Sequence, residues 1–497
     1  MRMHPIVPAI VLALAIVRAL AGGVSWLTFV SVPLATLWLV TELRGWNARR
    51  QSGESDSAAA PPSAPTPPAA PTPEQTRELL ATVDTIRRMR QERERPSLLP
   101  TEAEILATAK PAILVQRADL AVTLDHPARS YLGGMPRLPA DMPWPEIEKH
   151  ERVALTFLAQ IDLAELPVLE SSPLPRSGTL YFFADTNDDA PEPTACRVLF
   201  YAGDTARVPI RELPANLGAG GNGGGPWPWL PEDSVWARTG FRYPLSFTAF
   251  DSYRDYTVEP GANHPPGRNR EAFERLMHAQ YARRFGGPAT APREPWQILS
   301  QDRDEWPFAW IAIEYGARAL AHAAERAAPH GSADVAAEFR KIVDACAAWI
   351  ERAAREEPCT ACDAPLRAEF LREWRALAGQ SEAAGRRLWL QVGDIVFAAC
   401  QTCASHGRPE VIPPIYRDAL ARHNGASLDF PHQLLGHGQK VQWAPIGYDQ
   451  HVLLLQLLGD AGLGWHPGGS CAVQFWVDPA AAARAEFDHV EMTVECD

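Results

Sequence analysis

Two segments far apart in the chain repeat one pattern, and this repeat constrains the fold more than any other feature. The first comprises residues 131–136, 155–163 and 178–185, and the second comprises residues 431–437, 452–457 and 469–478. Each contains a glycine-bearing loop, an apolar stretch with one embedded glutamine, and a glycine followed by an aromatic stretch that ends in aspartate. Continuous apolar stretches of this length predict central, buried strands. The repeat therefore predicts two related β-rich halves that form one domain.

The composition is that of a folded protein that can bury a sizeable core. The 497 residues are 46% hydrophobic and 22% charged, and the net charge is −13. This charge argues against general nucleic-acid binding, because neutralising phosphates requires a basic face. The 8 cysteines are too few for a disulfide scaffold in a chain this long and indicate a reducing compartment. We therefore expect no nucleic-acid partner and a cytoplasmic soluble part.

The N-terminal 50 residues predict a membrane anchor. Residues 5–43 are almost wholly apolar, and as one helix they would span roughly 55–60 Å, against a hydrocarbon core of ~30 Å. The glycine pair at 22–23 interrupts this run, so we predict a transmembrane helical hairpin within residues 1–50. The arginines that follow place both ends in the cytoplasm of a bacterial-type inner (cell) membrane. A single signal-anchor helix and a cleavable signal peptide are the alternatives.

The rest of the chain divides by composition. An α-helical insert is expected between the two β-rich halves, because alanine, arginine and glutamate dominate there and apolar residues recur at helical spacing. The predicted divisions are a Pro/Ala-rich disordered linker at 51–73, a helix at 74–97, the N-terminal half at 98–267, the insert at 268–405 and the C-terminal half at 406–497. The fold class is thus α+β, preceded by the membrane hairpin.

Particular residues in both halves match a known family. In the first half these are Gly133, Gly134, Pro136, Trp144 and Pro145, and in the second His432, Leu435, Gly436, Gln456, Trp465, Gly468 and Gly469. By these motifs the chain resembles the DUF1963 (YwqG-like) family over roughly residues 98–250 and 410–497. The resemblance implies this duplicated β-rich fold, and it implies no assigned chemistry.

Two Cys-x-x-Cys pairs are the sharpest local motif in the sequence. They consist of Cys359 with Cys362 and Cys400 with Cys403. Four thiolates can complete a tetrahedral structural zinc site with no position left for substrate. The alternatives are unligated buried thiols and a redox-active dithiol.

Several polar residues are candidates for binding a ligand. Gln160 and Gln456 sit inside apolar strands, where a buried amide must be hydrogen-bonded, either to neighbouring backbone or to a ligand in a cleft between the halves. Asp162, His432 and Trp465 are the other candidates. No catalytic residue is assigned, because the sequence has no Gly-x-Ser-x-Gly, His-Glu-x-x-His, Walker or dinucleotide motif.

These observations favour a membrane-tethered cytoplasmic module that binds a protein partner or a small ligand. A non-enzyme is favoured over an enzyme. One alternative is a hydrolase that uses the C-terminal histidines with aspartates. Another is a membrane protein that responds to zinc or to redox state through its cysteine pairs.

Overall fold

The apolar stretches of both repeated segments lie in a single ten-stranded sheet whose strand pairs are all antiparallel. The computed structural model describes residues 102–149, 151–185, 195–217, 229–230, 239–254, 275–277, 279–280, 299, 305–328, 333–383, 392–421, 432–438, 448–458 and 472–495. The predicted anchor, linker and helix within residues 1–97, and Trp465, lie outside these residues. Within the described ranges, no helix has both the length and the hydropathy needed to cross a bilayer.

The strands and helices have the following bounds. The strands are β1 (Lys110–Arg117), β2 (Tyr131–Leu132), β3 (Glu146–Glu148), β4 (Arg152–Ala154), β5 (Thr156–Asp162), β6 (Thr179–Ala184), β7 (Cys196–Tyr201), β8 (Tyr243–Ser252), β9 (Gln433–Leu435), β10 (Val452–Leu458), β11 (Ala472–Val477) and β12 (Glu491–Glu495). The helices are α1 (Glu102–Leu106), α2 (Trp310–Ala327), α3 (Ala333–Ala353), α4 (Ala364–Ala383), α5 (Val392–Ser405), α6 (Pro414–Ala421) and α7 (Pro479–Ala483), with short 3-10 turns at Leu163–Glu165 and Pro409–Val411. Strands β3 and β4 form a separate two-stranded sheet.

The large sheet is symmetric about its central strand pair. Its order is β12-β11-β10-β9-β1-β8-β2-β5-β6-β7, so β1 and β8 separate two four-stranded groups. Gln433 of β9 faces Leu114 of β1, and its counterpart Tyr131 of β2 faces Pro244 of β8. Two residues further along each central strand, Gln116 and Ser246 face each other. A pseudo-twofold axis therefore passes between these two residues.

The equivalence extends to irregularities of the strands. The pairing of β5 with β6 shifts register between Phe157 and Ala159, and the pairing of β10 with β11 shifts between Leu453 and Leu455. Each shift lies just before the embedded glutamine of that strand. A β-bulge is a specific local feature, so its presence at the same place in both groups supports a common origin for the two halves.

The sheet curls until its two ends meet around one apolar core. Phe182 of β6 and Phe475 of β11 occupy equivalent positions, and their ring centroids are 5.2 Å apart. At the edges, the Cys196 thiol of β7 donates to the carbonyl oxygen of Val490, just before β12, at 3.5 Å. The inner faces of both groups therefore bury their aliphatic side chains in one shared cluster.

The helical insert builds a second core that it shares with Phe241 and Tyr243 of the sheet domain, and a buried glutamine also joins the two. Helices α2, α3, α4 and α5 contribute to a second apolar cluster that includes Trp306, Trp349 and Phe370. Gln401 of α5 accepts a hydrogen bond from the Ala121 amide at 2.7 Å and donates to the Asp119 carbonyl at 3.1 Å. Along the chain, these helices lie between β8 and β9.

Candidate functional site

Two successive left-handed residues end the inner strand of each four-stranded group. Gly133 and Gly134 have φ values of 64° and 68°, and their equivalents Leu435 and Gly436 have φ values of 62° and 73°. A Cβ at Gly134 would lie 2.9 Å from the Cβ of Arg242, and one at Gly436 would lie 2.7 Å from the Cβ of Ala112. Close packing against the neighbouring strand thus requires glycine at the second position of both turns.

Gln160 is fully buried, and its described hydrogen bonds are internal to the N-terminal half. Its Oε1 accepts from the Tyr131 hydroxyl at 2.8 Å and from the Arg137 amide at 3.0 Å. Its Nε2 donates to the carbonyl oxygen of Arg129 at 2.8 Å. The side chain therefore holds the 129–137 segment onto β5, and none of its described hydrogen bonds reaches the C-terminal half.

Asp162, at the end of β5, is also buried, and it forms an ion pair and hydrogen bonds. Its Oδ2 lies 2.6 Å from Nε of Arg129, and its Oδ1 accepts from the Ala164 amide at 2.9 Å, which caps the 3-10 turn. The Asp162 backbone amide donates to Oγ of Ser130 at 2.8 Å. The carboxylate thus stabilises the corner after β5.

The His432 side chain accepts a backbone hydrogen bond in the C-terminal half that is equivalent to the one accepted by Ser130 in the N-terminal half. Its Nδ1 accepts from the amide of Leu458 at 2.9 Å, and Leu458 is the equivalent of Asp162. The carbonyls of the two residues also match: that of His432 accepts from Val115 and that of Ser130 from Leu245. Because a serine fills the same role, the position of His432 is explained by backbone hydrogen bonding. His432 and Asp162 lie at equivalent corners of opposite halves and do not converge as a catalytic pair would.

The outer face of the N-terminal half is filled with aromatic side chains. The Phe183 ring is fully buried and lies 5.3 Å from Trp144, centroid to centroid, and 5.5 Å from Phe157. Trp144 is held there by a hydrogen bond from its Nε1 to the Leu155 carbonyl at 2.8 Å. On this face the loop that follows the left-handed turn is packed down onto the sheet.

The same face of the C-terminal half carries a chain of buried polar side chains instead. Nε1 of Trp476 donates to Thr493 Oγ1 at 3.0 Å, and that hydroxyl donates to Gln474 Oε1 at 3.0 Å. Nε2 of Gln474 then donates to Gln456 Oε1 at 2.8 Å. Gln456 is therefore tied to neighbouring strands of its own half. A hydrogen-bonded network of buried side chains is rigid. It therefore fixes the orientation of Trp476, which is the equivalent of Phe183.

A cleft opens beside Trp476, with a volume of about 30 Å³. It is lined by Lys110, Arg254, Gly436, His437, Gly438, Tyr448, Asp449, His451 and Trp476. The Tyr448 ring stacks on Trp476 with centroids 5.4 Å apart and planes inclined by 23°, and its hydroxyl donates to Glu491. Nη2 of Arg254 lies 3.9 Å from Oδ2 of Asp449. We take this cleft as the candidate functional site.

The turn that forms the floor of the cleft is held on several sides. The carbonyl of His437 accepts from Gln433 Nε2 at 2.6 Å, and its amide donates to Ser252 Oγ at 3.1 Å. The His437 ring places Nε2 2.7 Å from the carbonyl oxygen of Thr108. A carbonyl can only accept, so Nε2 carries the proton and Nδ1 is an acceptor in the neutral ring. Burial lowers the pKa of His437 to about 4, with Lys110 and Arg254 adding to the shift against Thr108 and Asp449.

Because of His437, we expect the protein to lose stability in mild acid. In the unfolded chain, His437 has the ordinary pKa of 6.5. Between pH 6.5 and about 4 this residue is therefore protonated in the unfolded chain but neutral in the folded protein. We expect the free energy of unfolding to fall by about 2–3 kcal/mol from this residue between pH 7 and 4. Chemical denaturation of the wild type and of His437→Gln, whose amide can still donate to Thr108, measures it as the difference between the two pH profiles.

Taking the difference removes the contribution of other titrating groups. Burial raises the pKa of Asp394 to about 6, which acts in the opposite direction because its stabilising contribution is lost as the pH rises towards that value. Asp394 is unchanged in the variant. Parallel pH profiles of the two proteins would mean that His437 is not buried as described.

The four cysteines are all buried in the core of the insert. Cys400 and Cys403 are one helical turn apart on α5, and the Cys403 thiol is hydrogen-bonded to that of Cys359. This hydrogen bond and burial raise the pKa of Cys403. The Cys362 amide donates to the Phe308 carbonyl at 2.9 Å. Among the residues described, no three or more histidines, cysteines or acids form a group that could hold a metal ion. Structural zinc at this cluster stays a prediction, which elemental analysis would test.

The structure thus assigns the polar candidates to two separate faces. Gln160 and Asp162 belong to the filled N-terminal face, whereas Gln456 lies beneath the face that carries the cleft. Sequence reasoning missed Lys110, Arg254 and Tyr448, which come from three distant segments. The sequence signal nearest to them was the glycine-bearing turn at 435–438, whose glycines permit close approach of the backbone.

A family model described as "Domain of unknown function (DUF1963)" matches residues 130–496. No curated protein matches the chain.

Proposed function

This chain belongs to the DUF1963 family, and from that premise we propose that it is a membrane-tethered cytoplasmic binding module rather than an enzyme. The domain would recognise its partner at the cleft beside Trp476. The tether is proposed on the apolar run of residues 5–43 and the arginines that follow it.

One observation carries the binding proposal: among the residues that the structure describes, the two equivalent faces of the duplicated domain differ. On the N-terminal face, Trp144 packs against Phe183 and the surface is filled. On the C-terminal face, Trp476 instead borders a polar cleft whose floor is fixed by Gln433 and Ser252. A pocket with a few fixed polar groups beside aromatic side chains is typical of a binding site.

Site-specific photo-crosslinking in living cells tests this proposal with the full-length protein. A benzophenone amino acid would replace Gln450, which is exposed between two residues that line the cleft, or Glu356, which is exposed beyond the end of α3. We expect covalent adducts from position 450 and not from position 356, recovered with membranes that have been washed with alkaline carbonate.

The opposite results have clear meanings. Adducts at both positions, or at neither, would contradict a binding site at the cleft. Release of the protein from membranes by carbonate would contradict the tether, because an integral anchor resists this wash.

A further inference from the structure

The described side chains that line the cleft carry one excess positive charge. Among them Lys110 and Arg254 are cationic and Asp449 is the single carboxylate. The Glu491 carboxylate lies behind this lining, where it accepts from the Tyr448 hydroxyl. His437 is neutral near pH 7 because its pKa is lowered to about 4. In a protein whose net charge is −13, this is a local attraction for an anion that the chain as a whole repels.

The cleft has room for a small charged group. A cavity needs roughly 10–15 Å³ to hold one water molecule, and this one measures about 30 Å³ and opens to solvent. A carboxylate carries one negative charge, which matches the excess positive charge of the lining, whereas a phosphate group carries more at neutral pH.

The walls fit a ligand that continues beyond the charged group. The Tyr448 ring, stacked on the buried Trp476, forms an aromatic wall on which aliphatic or peptide groups can pack. Lys110, Asp449 and His451 are exposed at the rim, so a longer ligand can pass out between them. The rigid turn at Gly436–Gly438 lowers the entropy that must be lost on binding.

From these observations we infer that the cleft binds a carboxylate carried by a polypeptide, an aspartate or glutamate side chain or a C-terminus, at Lys110 and Arg254 against the Tyr448–Trp476 wall. This inference deepens the proposed binding function and rests on it.

Fluorescence anisotropy with the full-length protein in detergent tests the inference. The probe is a short fluorescein-labelled peptide of alternating glycine and glutamate with an amidated C-terminus, compared with the same peptide carrying glutamine. We expect the glutamate peptide to bind at least about fivefold more tightly, and its affinity to fall as ionic strength rises. Competition with free acetate, with an unamidated glutamine peptide and with inorganic phosphate distinguishes a small acid, a C-terminal carboxylate and a phosphate.

Removing a positive charge and removing a negative charge at the cleft should change the affinity for the glutamate peptide in opposite directions. A distant surface substitution tests whether the overall charge of the protein has the same effect. Lys110→Gln should weaken binding of the glutamate peptide about three- to fivefold, and Asp449→Asn should strengthen it about two- to fivefold. Lys341→Gln, on the exposed surface of α3, is the matched control and should change nothing. A purely structural effect of these substitutions would not raise affinity.

Each contrary outcome overturns the inference in a distinct way. Equal affinity for the two peptides, or weaker binding by Asp449→Asn, would exclude carboxylate recognition at this cleft. Competition by phosphate stronger than by either carboxylate source would reassign the ligand class, and competition by acetate as effective as by peptide would exclude a polypeptide. Crosslinks from position 450 without peptide binding would leave the binding module intact and remove only the ligand class.

Discussion

Replacing Gly133 by alanine is expected to destabilise the domain by about 4 kcal/mol or more. A Cβ at this position would lie 2.1 Å from the carbonyl oxygen of Phe241, a backbone atom in the segment that leads into β8. The left-handed conformation alone is not the reason, because Leu435 adopts φ 62° at the equivalent place, against 64° at Gly133. The cost arises from the contact, which can be relieved only by moving a central strand.

Chemical denaturation, followed by tryptophan fluorescence, measures this effect. Gly379→Ala is the matched control, because Gly379 lies in α4 and a Cβ there would meet nothing within 4 Å. That substitution should stabilise the protein by about 0.5–1 kcal/mol through helix propensity. If Gly133→Ala differed from wild type by less than the control does, the close approach of Phe241 would be wrong.

Arg242→Met is expected to cost about 3–5 kcal/mol. The buried guanidinium donates to the carbonyls of Leu124 and Ala128, the latter at 3.0 Å, and lies 3.9 Å above the centre of the Tyr131 ring. Methionine fills similar volume but leaves both carbonyls without this donor. Arg242→Lys should recover less than half of the loss, because an ammonium group cannot reach two carbonyls with the planar geometry of arginine.

The control for this series is an arginine on the surface. Arg152 pairs with Glu146 at 3.1 Å, but its side chain is 71% exposed. Arg152→Met should therefore change the free energy of unfolding by less than about 0.5 kcal/mol. Similar losses for both substitutions, measured by denaturation, would mean that Arg242 does not hold the 118–129 segment.

The sequence predicts those parts of the fold that depend on local pattern. Apolar stretches with a glutamine or an aromatic run predict β5, β6, β10 and β11, and helical spacing predicts helices between the two halves. Strand β8 was missed, because its side chains are mostly half-buried without alternation and Pro244 lies near its start. Its place in the sheet depends on pairing with β1 and β2, which local pattern does not encode.

The candidate site was less predictable for a related reason. Its cations and aromatic residues are brought together only when the sheet curls, so no spacing along the chain connects Lys110 with Tyr448. The sequence predicts His432 as a candidate ligand-binding residue, whereas its backbone hydrogen bonding follows only from its structural equivalence to Ser130. The cysteine pairs show the same limit, since Cys400 and Cys403 are neighbours by helical geometry whereas their distance from Cys362 is set by tertiary packing.

The position of β1 in the sheet has a consequence during protein synthesis. This strand is made early, yet one of its two neighbours is β9, which leaves the ribosome only after the whole insert. At bacterial-to-eukaryotic elongation rates of 5–20 residues per second, one edge of β1 waits roughly 15–60 s for its partner. During that interval an apolar strand with unpaired backbone groups is open to pairing with another nascent chain. Closely spaced ribosomes on one message should therefore lower the yield of this protein.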